Sequence, residues 1–133
     1  MHDEEYFRFI QLVLMSLEPR KVQVNDEIVP YRDNVYEMFF MSKGEYEVGY
    51  LFGGHQKYCL RIQCQRVTND VIGGFNCMFA HKNYYFYRAR AVMEGFIIRR
   101  RKFIEISKEF EFMIRQVKSK IFWSYNTLRT KVF

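Results

Sequence analysis

The sequence has no apolar run long enough to cross a bilayer, which takes ~20 residues. The best stretch, Phe9 to Leu17, is too short and contains Gln11. It also lacks the basic flank of a secretory signal, since acidic Asp3-Glu4-Glu5 precedes it. Proline is scarce, with 2 in 133 residues, and there is no Pro/Gly/Ser-rich linker, repeat or low-complexity tract. A chain of this length without a linker reads as one domain over 1–133. The 3 cysteines, Cys59, Cys64 and Cys77, are odd in number and without a disulfide rhythm, so reduced thiols in a cytosolic setting are expected. His2, His55 and His81 are scattered and no cysteine pair has ligand spacing, so no metal is expected. Nucleophile–base pairs, paired carboxylates and a Gly-Lys-Ser/Thr phosphate loop are missing as well. No catalytic residue can be named, and an enzyme is not expected.

What the chain does have is apolar and aromatic material, at 49% and 19%, enough for a substantial core. Its net charge of +6 is uneven: Arg99 to Lys102, Arg115, Lys118, Lys120, Arg129 and Lys131 crowd the last third. A basic end can meet nucleic acid, anionic lipid or an acidic partner. Between Phe96-Ile97-Ile98 and Phe103, the arginines read as an exposed strand-to-helix junction. Tyrosines able to stack on bases accompany the charge, yet no aromatic–basic signature of an RNA-binding type is present, so nucleic acid is not expected.

Apolar positions at Tyr6, Phe7, Phe9, Ile10, Val13, Leu14 and Leu17 have helical spacing and predict a helix over about 3–17, opened by Asp3 and ended by Pro19. Val22 and Val24 predict a strand, with Asn25-Asp26 as a turn in which Asn takes the left-handed region. Met38 to Met41, a turn at Ser42-Lys43-Gly44 and the alternation of Tyr46, Val48 and Tyr50 predict a β-hairpin. Leu51 to Lys57 reads as a glycine-containing loop, Cys59 to Cys64 as a strand, and Thr68-Asn69-Asp70 as a turn. Gly73-Gly74 forms a natural lip for a pocket, because glycine takes positive φ and admits close approach. Phe75 to Ala80 is a brief apolar segment. From Tyr84 the residues alternate, with Tyr85, Tyr87, Ala89 and Ala91 on one face; a Glu94-Gly95 turn and the strand Phe96-Ile97-Ile98 follow. Helical periodicity returns at Phe103 and continues through Phe110, Met113, Ile114, Val117, Ile121, Leu128 and Val132, a stripe widened by Trp123 and Tyr125. The predicted fold is α+β: an antiparallel, jelly-roll-like β-roll over about 21–99, flanked by an N-terminal helix and by two C-terminal helices over about 101–132.

The order apolar-Gly-x-Phe, short helix, strand ending in Arg88-Ala89, turn, apolar strand and Arg-x-x-Phe entering a helix resembles the cyclic nucleotide-binding homology domain of cyclic nucleotide-gated, hyperpolarisation-activated and ether-à-go-go-type potassium channels. Gln23 to Val29 is similar to that family's x-Pro-Gly-Asp-x-Ile turn, Tyr31-Arg32-Asp33 stands at its Glu-Gly-Asp/Thr, and Glu37 to Val48 is similar to its Met-Tyr-Phe-Ile-x-x-Gly-x-Val-x-Val segment. The resemblance runs from about Phe9 to Leu128.

It implies a cytoplasmic regulatory domain of a membrane protein, a voltage-gated potassium-type channel, whose partners are the rest of the channel and neighbouring subunits. It also implies a pocket for cAMP or cGMP under the final helix, with candidate residues Gly73, Gly74, Phe75, Asn76, Cys77, Asn83 and Tyr84. That pocket departs from the family's chemistry. Its acidic residue after Phe-Gly is replaced, Phe75 being followed by Asn76 and Cys77, and its phosphate arginine falls at about Asn83-Tyr84. A buried phosphate needs a matching cation, so weak or absent nucleotide binding is expected and no tightly bound cofactor. His81 or Lys82 reaching the phosphate, and an aromatic such as Tyr84, Phe86 or Tyr87 filling the cavity, both remain open. A soluble sensor of kinase-regulatory type with a non-standard phosphate contact is the alternative.

Overall fold

A computed structural model describes residues 3–64 and 71–132. Helix α1, Asp3–Ser16, buries Phe9 and packs Ile10, Leu12 and Val13 on the core. The chain then enters strand β1, Glu18–Val22, so Pro19 does not merely end the helix. It lies in a strand paired on one side only, opposite Phe96, where a missing N–H is tolerated. Strands β2 (Glu37–Lys43), β3 (Glu45–Phe52), β4 (His55–Gln63), β5 (Phe86–Ala89) and β6 (Met93–Arg99) complete the roll. Helix α2, Gly74–Met78, precedes β5, and α3 (Arg100–Glu109) and α4 (Glu111–Val132) follow β6. This is the α+β architecture expected: two antiparallel three-stranded sheets, ordered β1-β6-β2 and β4-β3-β5, with helices beside them.

Three local readings are corrected. The segment through Gly44 is no hairpin, because β2 pairs with β6 while β3 pairs with β4 and β5. Gly44 is a corner at which the chain changes sheet. Its φ is 109°, and a Cβ there would come within 2.7 Å of Met93 Cγ and of the Val92 carbonyl. The true hairpin joins β3 to β4 through Gly53 and Gly54, both at positive φ (57° and 81°), so the expected long loop shrinks to two residues with matching twist. Glu94 and Gly95 lie inside β6 rather than at a turn; Gly95 is where the backbone of β2 at Phe40 and Met41 comes too close for any side chain. The Asn25 turn holds, with φ at 71°. The expected turn Thr68-Asn69-Asp70 lies outside the described residues.

The core sits between the sheets. Tyr46 and Val48 of β3, Tyr87 and Ala89 of β5, Met38 of β2 and Ile97 of β6 supply its centre. The alternation along β5 holds on its inner face. On its outer face Phe86 is also buried, because Tyr31 stacks on it at 4.2 Å and Tyr58 meets it edge-on. Phe110, between α3 and α4, is buried edge-on against Phe9, and Arg8 pairs with Glu109, fastening α1 to the C-terminal helices.

Candidate functional site

Gly73, in the left-handed region at φ 79°, opens α2. A Cβ at this glycine would lie 2.9 Å from the Glu37 carbonyl oxygen, so β2 presses on the turn as well. The helix start therefore places the apolar–Gly–x unit on Ile72-Gly73-Gly74, three residues before Phe75-Asn76-Cys77, which lies within the helix. A Cβ at Gly74 would stand 3.1 Å from Val71 Cγ1 and 3.3 Å from Ile121 Cδ1, so α4 occupies the space that a longer side chain would need.

Between α2, the inner faces of β3 and β5, and α4 lies a cavity of about 40 Å³. Ligand pockets run to about 300–1,000 Å³, so this one admits water and not a nucleotide. It is filled from α4. The ring of Tyr125 lies against that of Phe75 with centroids 3.9 Å apart and planes 7° apart, and it meets Tyr85 edge-on at 6.0 Å. The Tyr85 and Tyr125 hydroxyls hydrogen-bond. Burial, then the neighbouring Tyr125, pushes the Tyr85 phenol up to about 12; burial also raises that of Tyr125. The wall consists of Tyr46, Ile62, Tyr87, Ile121, Leu128 and their neighbours, and among the described residues no charged side chain lines it. Tyr87 thus borders the cavity, while Phe86 turns outward and Tyr84 is exposed.

Of the candidates, Gly73, Phe75 and Asn76 line this cavity. Gly74 and Cys77 are buried beside it; the Cys77 thiol donates to the Val35 carbonyl at 3.2 Å and is pushed by burial to about 12. Asn83 is fully buried and serves another purpose. Its amide nitrogen donates to the carbonyls of Pro30 (3.0 Å) and Tyr85 (2.8 Å), and its side-chain oxygen accepts from the Tyr85 N–H at 3.0 Å. Its backbone is bonded to Arg32 and Asp33. Every hydrogen-bonding group of Asn83 is spent on pinning the 30–33 loop to the start of β5, so it is a fastening residue at the place where a phosphate arginine was sought. His81 and Lys82 are both exposed and do not line the cavity. His81 Nδ1 lies 2.8 Å from the Lys82 carbonyl, which also accepts from the Asn76 amide at 3.1 Å. Arg88 and Arg90 are engaged elsewhere: Arg88 donates to Tyr58 and the Asn25 carbonyl, and Arg90 pairs with Glu47.

The residue that sequence reasoning missed is Tyr125. It read as the flank of the α4 stripe, although it stands one turn from both Ile121 and Leu128 on the inward face. That spacing was its signal. Among the described residues no group of His, Cys, Asp and Glu could hold a metal ion, and no helix is long and apolar enough to cross a membrane.

Neither any protein-family model nor any curated protein matches the sequence. The fold is nevertheless that of the cyclic nucleotide-binding domains. The catabolite activator protein of Thermus thermophilus superimposes with a TM-score of 0.72 at 10% identity over 93% of this chain and 57% of that one. The C-linker/CNBHD of zELK channels, crystallised in the presence of cAMP, gives 0.72 at 12% over 86% and 55%. The regulatory subunit of a cAMP-independent protein kinase A from Trypanosoma brucei gives 0.63 at 14% over 96% and 45%. The chain spans 36% and 34% of two kinase regulatory structures crystallised with cAMP, so it is comparable to one part of such proteins.

Proposed function

We propose that this chain is a regulatory domain that keeps the cyclic nucleotide-binding fold and works without a nucleotide, as the cytoplasmic part of a voltage-gated potassium-type channel. One observation carries the reading: the cavity where a nucleotide would sit is closed by Tyr125 of the chain's own α4 and has, among the described residues, no cation on its wall. Burying a phosphate there would leave its charge unpaired, at a cost of several kcal/mol. With α4 already seated, regulation runs through contacts of α1, α3 and α4 with the rest of the channel and neighbouring subunits. A nucleotide could shift the equilibrium only by favouring one state of α4 over another.

Support for the channel context is the similarity to the zELK domain over 86% of this chain. The second reading, a kinase-regulatory domain with a non-standard phosphate contact, has support from the similarity to kinase regulatory subunits, one of them cAMP-independent by name. Calorimetric titration with cAMP and cGMP tests the common core. No heat up to millimolar nucleotide is expected, and micromolar binding would overturn the reading. The two contexts separate on the full-length transcript: six hydrophobic spans upstream support a channel, whereas a reading frame without them removes it.

A further inference from the structure

A hollow of about 500 Å³ opens between the C-terminal end of α2 and the facing sides of α3 and α4, and it shares no lining residue with the cavity under Tyr125. Buried Cys77, Phe103 and Ile114 form its floor. Its rim is cationic. Arg100, Ile104 and Lys108 follow one another at i+4 along α3, and Arg115 and Lys118 stand three apart on α4, so each helix turns a basic ridge to the same hollow. Glu111 is the only acid among the lining residues described.

These cations have no partners of opposite charge. Residues 100–132 hold nine Lys and Arg against three Glu, an excess equal to the whole net charge of +6. Glu105 is engaged with Arg101 and Lys102, and Glu109 with Arg8. Among the described residues Arg100, Lys108, Arg115 and Lys118 enter no ion pair, whereas elsewhere Arg20, Arg61, Arg90 and Arg99 all meet carboxylates. Arg100 is also held in position. Its Nε donates to the Cys77 carbonyl at 3.0 Å, which fixes the guanidinium at the α2 end of the hollow and leaves its two terminal amino groups without a bond among the described residues. A concave site with charge of one sign over an apolar floor focuses its field on a ligand of the other sign.

We propose that this hollow binds a compact polyphosphate, a ligand carrying two or more phosphate groups, between Arg100 and Lys108 of α3 and Arg115 and Lys118 of α4. The span of the site sets the number of phosphates: eight residues separate Arg100 from Lys108, about 12 Å at the helical rise. A single phosphate engages one end, whereas linked phosphates engage the guanidinium fork of Arg100 and the lysines together. The volume falls within the range of small-ligand sites, about 300–1,000 Å³. A soluble polyphosphate and the multiply phosphorylated headgroup of a lipid present the same chemistry to these four cations. The proposal goes beyond the nucleotide-free reading and stands without it, because no residue of the Tyr125 cavity takes part.

Calorimetric titration of the whole chain with orthophosphate, tripolyphosphate and inositol hexakisphosphate tests the site. The expected result is one-to-one binding that tightens with phosphate number, the hexakisphosphate at least about tenfold tighter than orthophosphate. Raising salt from about 0.05 to about 0.5 M should weaken it about tenfold or more. Arg115→Glu with Lys118→Glu, neither residue in the core, should also weaken it about tenfold or more, and Arg115→Gln with Lys118→Gln, which adds no acid, should act in the same direction. Lys120→Glu with Lys131→Glu changes the net charge equally but away from the hollow, and should leave affinity within about threefold. Circular dichroism melts check that each variant is folded. No heat with any of the three ligands, affinity independent of phosphate number, equal losses in the two charge-reversed pairs, or equal competition by a short polyglutamate would overturn the proposal. Co-sedimentation with vesicles tells the two sources apart. Tighter binding to vesicles bearing a bisphosphorylated inositol lipid than to its free headgroup, lost with Arg115 and Lys118, supports the site with a lipid as its ligand; equal or weaker vesicle binding supports it with a soluble one.

Discussion

Tyr125 of the last helix lies parallel to Phe75 of the shortest one, with ring centroids 3.9 Å apart. That contact closes the cavity between the sheets and ties the position of α4 to the Gly73 turn. It is continued by Phe122, whose ring lies 6.2 Å from Phe75 and 6.0 Å from Phe79.

Removing the Tyr125 ring tests whether the contact holds α4 down. Tyr125→Ala should cost about 2–3 kcal/mol in chemical denaturation, the scale of truncating a largely buried aromatic. It should also raise hydrogen exchange along α4 while leaving the β-roll protected. Opening the cavity adds no cation, so calorimetry with cAMP should stay silent in this variant too.

Asn83 gives a second test. Asn83→Ala leaves the Pro30 and Tyr85 carbonyls and the Tyr85 N–H without their partner, and about 3 kcal/mol of stability should be lost. Asn83→Arg, the substitution that would restore a phosphate cation by sequence alignment, should be at least as damaging. It forces a charge into a site with no exposure. Denaturant midpoints of both variants check this, and a stable, nucleotide-binding Asn83→Arg would show that the residue faces the cavity.

Alkaline pH should unfold the protein earlier than its tyrosine content alone implies. Tyr85 is raised from its ordinary 10 to about 12, and Cys77 from 9 to about 12. Both groups are held in their neutral form by the fold, so the unfolded chain loses those protons first. Their contribution is complete below pH 9 and falls as pH rises from about 9 to about 12. Circular dichroism against pH should show the loss in that window, with Tyr125→Phe relieving part of it by removing the hydroxyl beside Tyr85.

Thiol labelling under native conditions should be ordered by burial. Cys59 is exposed and should react first, Cys64 is half-buried with its thiol raised by desolvation, and Cys77 should react only on unfolding. Rapid native labelling of Cys77 would contradict its bond to the Val35 carbonyl.

The glycines separate two kinds of constraint. Gly44→Ala combines positive φ with a Cβ 2.7 Å from Met93 Cγ, and should destabilise by about 2 kcal/mol or more. Gly53→Ala meets nothing within 4 Å and should cost only the strain of its positive φ, about 1 kcal/mol. Equal effects in thermal melts would mean that the corner at Gly44 is not packed against β6.

The sequence by itself determined the class of the fold and most of its elements. Period 3.6 in 3–17 and beyond Phe103, and period 2 around Tyr85 to Ala89, are local consequences of which residues must face a core, so they are readable from spacing. Asn25 and Gly73 were legible for the same reason, because positive φ leaves a mark on residue type. Pairing left no such mark. The stretch through Gly44 has the look of a hairpin, and only the sheets decide that β2 and β3 belong to different partners. The same holds for the site. Asn83 and Tyr125 lie 42 positions apart, and each has a sequence neighbourhood compatible with several roles. Asn83 became a buried clamp because the 30–33 loop brings its carbonyl there, and Tyr125 became the occupant of the cavity because α4 folds back across the sheets onto Phe75. Contacts between distant segments depend on how the whole chain packs, and that is what only the tertiary structure decided.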